Sequence, residues 1–181
     1  MESNYARSII EALLFVADEP LPVKTINSVL EELKEDEIRK HISDLALEYE
    51  TTGRAYAITE IAEGFQIVTR PQFAQWIKLL YKSKLTHRLS KPALETLSII
   101  AYRQPITKLE IEAIRGVSVE GVLDTLLARD LAAIKGRKDV IGRPLLYGTT
   151  KEFLRYFGLK DLTEMPKIEE LIGKMEEELN A

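Results

Sequence analysis

The 181-residue chain contains no cysteine, only two histidines and a single tryptophan. Without cysteine there is no disulfide framework, no thiolate metal site and no thiol nucleophile. His41 and His87 stand apart, without the His-Glu-x-x-His spacing of a zinc hydrolase, so a metal centre lacks ligands. No apolar run approaches the roughly 20 residues that a membrane-spanning helix needs. The N-terminus lacks the basic-then-apolar pattern of a secretory signal, since Glu2 and Glu11 flank only a short apolar run. Glycine-rich phosphate loops are missing too: the nearest stretch, Gly136 to Gly142, lacks the Gly-Lys-Ser/Thr ending of a nucleotide-binding loop. These absences point away from enzyme, cofactor and membrane. They favour a cytoplasmic, non-catalytic protein with no cofactor.

What is present is ordinary in amount and uneven in place. The chain is 45% hydrophobic and 30% charged, as a globular protein is. Its net charge of −4 is segregated: residues 1–85 carry 10 Lys+Arg against 14 Asp+Glu, residues 86–158 carry 12 against 8, and residues 159–181 carry 3 against 7. A mildly basic middle between acidic ends is not the charge of a general nucleic-acid coat.

The chain also repeats itself. Glu11, Leu13, Ala17 and Lys24 match Glu95, Leu97, Ala101 and Lys108 at a constant offset of 84. Phe65, Ile67, Thr69, Phe73 and Trp76 face Leu145, Tyr147, Thr149, Phe153 and Tyr156 at an offset of 80. Two matches in the same order imply a duplicated domain.

In the second copy, Ala93 to Tyr102 is apolar at helical spacing, with Ser90 and Pro92 as start signals. Thr107 and Glu110 form a capping box for a second helix, which Gly116 ends. Ser118 is expected to cap a third helix carrying Val119, Val122, Leu123, Leu126 and Leu127 on one stripe. Two short β-like runs follow, flanking the basic loop "GRKDVIGRP". The first copy reads likewise, with helices near 4–17, 23–33 and 36–50 and a hairpin turning at Glu63-Gly64. An extra helix closes each copy, near 72–81 and 151–157. Three helices and a two-stranded hairpin make a winged helix, a helix-turn-helix variant. The expected fold class is therefore mainly α with small β-hairpin wings, in tandem. The expected division is a first domain over 1–83, a linker over 84–92, a second domain over 93–160 and an acidic tail over 161–181.

Winged helices often bind DNA, yet the third helix of the second copy offers Glu120, Asp124 and Thr125 with one arginine, Arg129. Base edges are read by Arg, Lys, Asn and Gln, so sequence-specific major-groove reading is not expected. The basic wing differs. Lys135, Arg137, Lys138 and Arg143 suit phosphates or partner carboxylates, and a solvated loop tip is the plain alternative. The first helix is apolar on more than one face, through Ile9, Ile10, Leu13, Leu14, Phe15 and Val16. Either its own core takes all of these or a surplus face seals a dimer. Phe73, Trp76, Phe153, Tyr156 and Phe157 read as core aromatics pinning each last helix to its wing. In the tail, Ile168, Leu171, Ile172, Met175 and Leu179 fall at helical spacing opposite a glutamate-rich face.

The strings "ALETLSIIAYRQPITKLEIEAIRGV" and "GRKDVIGRPLLYGTTKEFLRYFGLKDLTEMP", with "IEALLF" near the start, resemble the segregation and condensation protein B family along the whole chain. That resemblance implies a tandem winged-helix homodimer bound to a kleisin subunit (ScpA-like). The kleisin in turn bridges a structural-maintenance-of-chromosomes ATPase in an assembly that condenses and segregates chromosomes. It also favours the dimer reading of the first helix, with Tyr5, Ile10 and Leu14 as interface candidates, and any DNA contact weak or indirect.

Overall fold

The structure, a computed structural model, describes residues 3–81 and 88–167. It begins with α1 (Ser3–Val16), α2 (Val23–Val29), α3 (Glu35–Thr51), β1 (Tyr56–Ile61), β2 (Gly64–Thr69) and, after a 3-10 turn, α4 (Ala74–Leu80). The order recurs as α5 (Lys91–Arg103), β3 (Ile106–Thr107), α6 (Lys108–Arg115), α7 (Glu120–Ala128), β4 (Ala132–Arg137), β5 (Leu145–Thr149) and α8 (Lys151–Phe157). Two winged helices stand in tandem.

Local signals set many of these ends. Ser90 Oγ accepts from the Ala93 N–H and opens α5. Thr107 and Glu110 exchange side-chain and backbone hydrogen bonds at the start of α6, and Gly116 ends it at φ 71°. The third helix departs from expectation: α7 starts from Val119, and no side-chain cap comes from Ser118. The Val119 N–H donates to Glu112 Oε1 at 3.1 Å, so a carboxylate of the preceding helix holds the start of α7 in place of the expected Ser118 cap. The second wing gains a strand as well. β3 pairs antiparallel with β5, giving the order β3-β5-β4, because the two residues before α6 are held extended beside Tyr147 and Leu146.

Each copy has its own hydrophobic core. Ile26, Ile38, Ile42, Leu45 and Tyr49 fill the first. Ile100, Ile111, Val119, Leu123, Leu126 and Phe153 fill the second. Ile38, Ile42 and Leu45 on α3 match Val119, at the N-cap of α7, and Leu123 and Leu126 within it at a spacing of 81, so the buried stripe is duplicated.

The first helices correct the sequence reading. Buried Ile10 and Leu14 correspond to buried Ala93 and Leu97, a spacing of 83 and not 84. One residue turns a helix by about 100°, so the alignment at 84 set Ile10 and Leu14 beside the exposed Leu94 and Ser98. They are in fact core, at 0% and 1% exposure, and present no surface to a second copy. Tyr5, the third interface candidate, is 64% exposed.

The hairpin turn is Ala62-Glu63, with φ 50° and 63°, and Gly64 already pairs with Ile61 as the first residue of β2. The glycine serves a close approach: a Cβ there would lie 2.8 Å from the Pro20 carbonyl carbon. That approach lets Leu21 and Phe65 exchange backbone hydrogen bonds of 2.8 and 3.0 Å. The expected linker lies partly outside the described residues, and its end belongs to the second domain. Leu89 is buried in the second core, Ser90 caps α5, and Lys91 and Pro92 form its first turn. The core also runs past residue 160, since Met165 packs on it and Tyr102 donates its hydroxyl to the Pro166 carbonyl at 2.8 Å. The tail stripe from Ile168 to Leu179 lies outside the described residues.

Candidate partner-binding surfaces

Because Ile10 and Leu14 commit one face of α1 to the core, the opposite face is left outside. It carries Tyr5, Ala12, Phe15 (81% exposed) and Val16. A groove of about 240 Å³ opens beside it, between α1, the end of α3 and the hairpin, lined by Ser8, Glu11, Ala12, Phe15, Tyr49, Tyr56 and Ile67. Its floor is fixed. The Tyr49 ring meets Tyr56 edge-on at 4.9 Å, and its hydroxyl donates to Glu11 Oε1 at 2.6 Å. Burial and the Glu11 carboxylate together push the Tyr49 phenol well above its ordinary range, so it stays a proton donor. Arg70 braces the wall by donating to the carbonyls of Arg54 and Tyr49 at 2.8 and 3.2 Å. An apolar groove with one fixed polar contact suits an apolar peptide segment better than a charged metabolite.

The aromatics of the last helices correct a second expectation. Only Phe153 is core; Trp76 is 58% exposed, and no residue of α4 is buried. Leu79, Leu80 and Tyr81 are exposed with it. On α8, Tyr156 and Phe157 stack edge-on at 5.1 Å and remain half exposed. A cleft of about 260 Å³ runs beside them, lined by Leu97, Ala101, Tyr102, Phe157, Leu159 and Met165. The spacing that marked these rings as repeated was right about position; burial depends on what packs above, which spacing does not encode.

The helices that would read bases are occupied otherwise. Glu120 on α7 pairs with Lys108 at 3.4 Å. Arg39 on α3 lies 5.7 Å from the centre of the Phe65 ring and pairs with Glu60 at 3.2 Å. In the second wing the four cations divide their roles. Lys138 pairs with Glu110 at 2.5 Å, and its backbone N–H donates to the Pro144 carbonyl at 2.9 Å. Arg137 donates to the Arg143 carbonyl at 3.0 Å. Arg143 sits at φ 40° and turns the loop, while Lys135, Arg137 and Arg143 are all exposed beside the fully exposed Ile141. Among the described residues no group of three or more His, Asp or Glu is placed to hold a metal ion, and no helix is long and apolar enough to cross a membrane.

Fold and surfaces together define a tandem winged-helix protein with apolar open faces on α1 and beside α8 and a cationic second wing. A family model described as segregation and condensation complex subunit ScpB matches residues 8–168, and the chain belongs to that family. The segregation and condensation protein B of Symbiobacterium thermophilum is 51% identical over 92% of this chain and 75% of its own length. That of Desulforamulus reducens is 48% identical over 93% and 92%. Among solved structures, a dimer of an ScpB N-terminal domain complexed with an ScpA peptide is 32% identical, covering 42% of this chain and 95% of its own, with a TM-score of 0.40.

Proposed function

We propose that this chain is a non-catalytic, cytoplasmic scaffold subunit that works as a homodimer and binds a kleisin (ScpA-like). Through that kleisin it acts with a structural-maintenance-of-chromosomes ATPase in chromosome condensation and segregation. Family membership supports the process. The observation that carries the binding role is the apolar outer face of α1 beside its tyrosine-floored groove. The Tyr5 end of α1 contributes to the contact between copies, and the Phe15 end holds an apolar kleisin segment. Covering a large aromatic side chain contributes about 1.5–3 kcal/mol, which is roughly a tenfold to hundredfold change in affinity. Phe15→Glu is therefore expected to weaken kleisin binding at least about tenfold in a calorimetric titration, with an unchanged circular dichroism spectrum. A folded variant that binds as tightly as the parent would remove the groove from the proposal.

A second reading rests on the second wing, where Lys135, Arg137 and Arg143 stand exposed and Lys138 is tied to Glu110. In the assembly these side chains orient carboxylates of the partner or hold DNA weakly and without sequence preference. Titrating the same protein with duplex DNA at rising salt separates the two, because phosphate contacts lose affinity steeply with salt.

A further inference from the structure

The wing of the first domain does not end in solvent. At its tip the Ala62 N–H donates to the Leu159 carbonyl and the Glu63 N–H to the Lys160 carbonyl, both at 2.9 Å. The positive φ angles of Ala62 and Glu63 accompany this placement of two consecutive N–H groups at the second domain. Ala62 is 5% exposed and belongs to the second core, with Ile61 packed beside it. Charges frame the contact: Glu60 meets Lys160 at 2.9 Å, and Glu63 meets Lys151 at 3.1 Å. Nearby, Arg155 on α8 reaches back to the Asp18 carbonyl at 3.2 Å. Gly158, at φ 68°, ends α8 and begins the stretch in which Leu159 and Lys160 offer their carbonyls to the tip.

We infer that the hairpin of the first winged helix is a clasp that holds the two domains in one fixed orientation. Surface ion pairs alone would not do this, because solvent screens them. Paired backbone groups and a methyl seated in the other domain's core are not screened. The clasp also explains why this wing is unlike a nucleic-acid-binding one: its tip is spent inside the molecule. Opening it would withdraw Ala62 and Ile61 from the second core, while the rest of each core is built from its own domain's residues. In the role proposed above, a kleisin segment reaching from the α1 groove to the α8 cleft would meet two faces already set at one separation. It would not have to order them on binding. That consequence rests on the proposed function; the clasp itself rests on the contacts.

The absence of native cysteine makes the test direct. Asp44→Cys on α3 and Asp124→Cys on α7, both exposed, take a donor and an acceptor dye for single-molecule energy transfer on the full chain. The expected result is one narrow distribution in the parent. It should broaden in Ala62→Glu, which cannot seat a carboxylate in the second core, while circular dichroism stays native. A second variant, Lys151→Glu with Lys160→Glu, changes only exposed side chains and puts like charges against Glu60 and Glu63. Its distribution should broaden at low salt and narrow again when 0.5 M salt, with a screening length of roughly 4 Å, covers the repulsion. A broad distribution in the parent, or a narrow one unmoved by both variants, overturns the clasp. Kleisin binding is read separately, so its loss with a narrow distribution would sink the functional reading and leave the clasp standing.

Discussion

Glu110 joins two parts of the second domain through one carboxylate. It accepts from the Thr107 N–H at 2.9 Å, from the Thr107 hydroxyl at 2.8 Å and from Lys138 Nζ at 2.5 Å. The helix cap and the wing are thus tied at a single side chain. Lys138 foremost, then Thr107, pulls the carboxyl from 4.5 down to about 2. A depressed folded pKa contributes stability that is present above the ordinary value and lost as pH falls through the folded one. The melting temperature is therefore expected to fall between pH 4.5 and about 2, and Glu110→Gln, which keeps a cap acceptor, should make that fall shallower. Acid melts followed by circular dichroism check this. Some acid sensitivity should survive in the variant. Asp161 is held low by Thr163, and Glu60 by Lys160 and Arg39, whose hydrogen bonds outweigh the opposing effect of its partial burial. A slope identical in parent and variant would mean that the Lys138 contact adds nothing to folding.

At the scale of elements, two glycines separate a rigid close approach from a forgiving one. A Cβ on Gly64 would meet backbone atoms of Pro20 and Leu21 at 2.8–2.9 Å, and backbone cannot turn aside. Gly64→Ala should cost about 1–3 kcal/mol, the range for overpacking a fitted site. A Cβ on Gly148 would instead meet the Lys135 side chain at 2.8 Å and Gln104 Oε1 at 2.9 Å. The Thr149 N–H and hydroxyl hold Gln104 Oε1 at 2.7 and 3.0 Å, yet these are side-chain atoms and can give where backbone cannot. Gly148→Ala should therefore cost less in a urea titration; the reverse order would contradict the geometry. The same elements mark how far the sequence could be read. The Thr107–Glu110 box, the Gly116 stop and the Leu123–Leu126 stripe are local, and the structure has them where spacing put them. Misplaced features depend on distant partners. Ala62-Glu63 takes a turn that glycine would suit better, in company with hydrogen bonds donated to carbonyls almost 100 positions away. The start of α7 is held by Glu112 at Val119 in place of a Ser118 cap. Ile10 and Leu14 needed a one-residue register between repeats that an apolar alignment cannot resolve. Of the candidate site, the wing cations were legible as a cluster, but the partition between braced and exposed members was not. The α1 groove was hinted at only by an apolar excess.

For the molecule as a whole, the question is whether two small cores behave as one. Separate cores of this size ordinarily unfold as separate cooperative units, and a single transition then requires an interface that couples them. The clasp supplies such an interface: two backbone hydrogen bonds, a buried Ala62 and the ion pairs of Glu60 and Glu63 with Lys160 and Lys151. The parent chain is accordingly expected to melt in one calorimetric transition. Gly64→Ala, which strains only the first domain, should move that transition as a whole. In an Ala62→Glu background the coupling is gone and two transitions are expected, of which Gly64→Ala shifts only one. A combined variant that still melts as a unit would place the coupling outside the hairpin tip. Two transitions already present in the parent would mean that the contacts at the tip orient the domains without sharing their stability. Scanning calorimetry of the parent, the two single variants and the pair separates these cases, because each core reports on its own mutation.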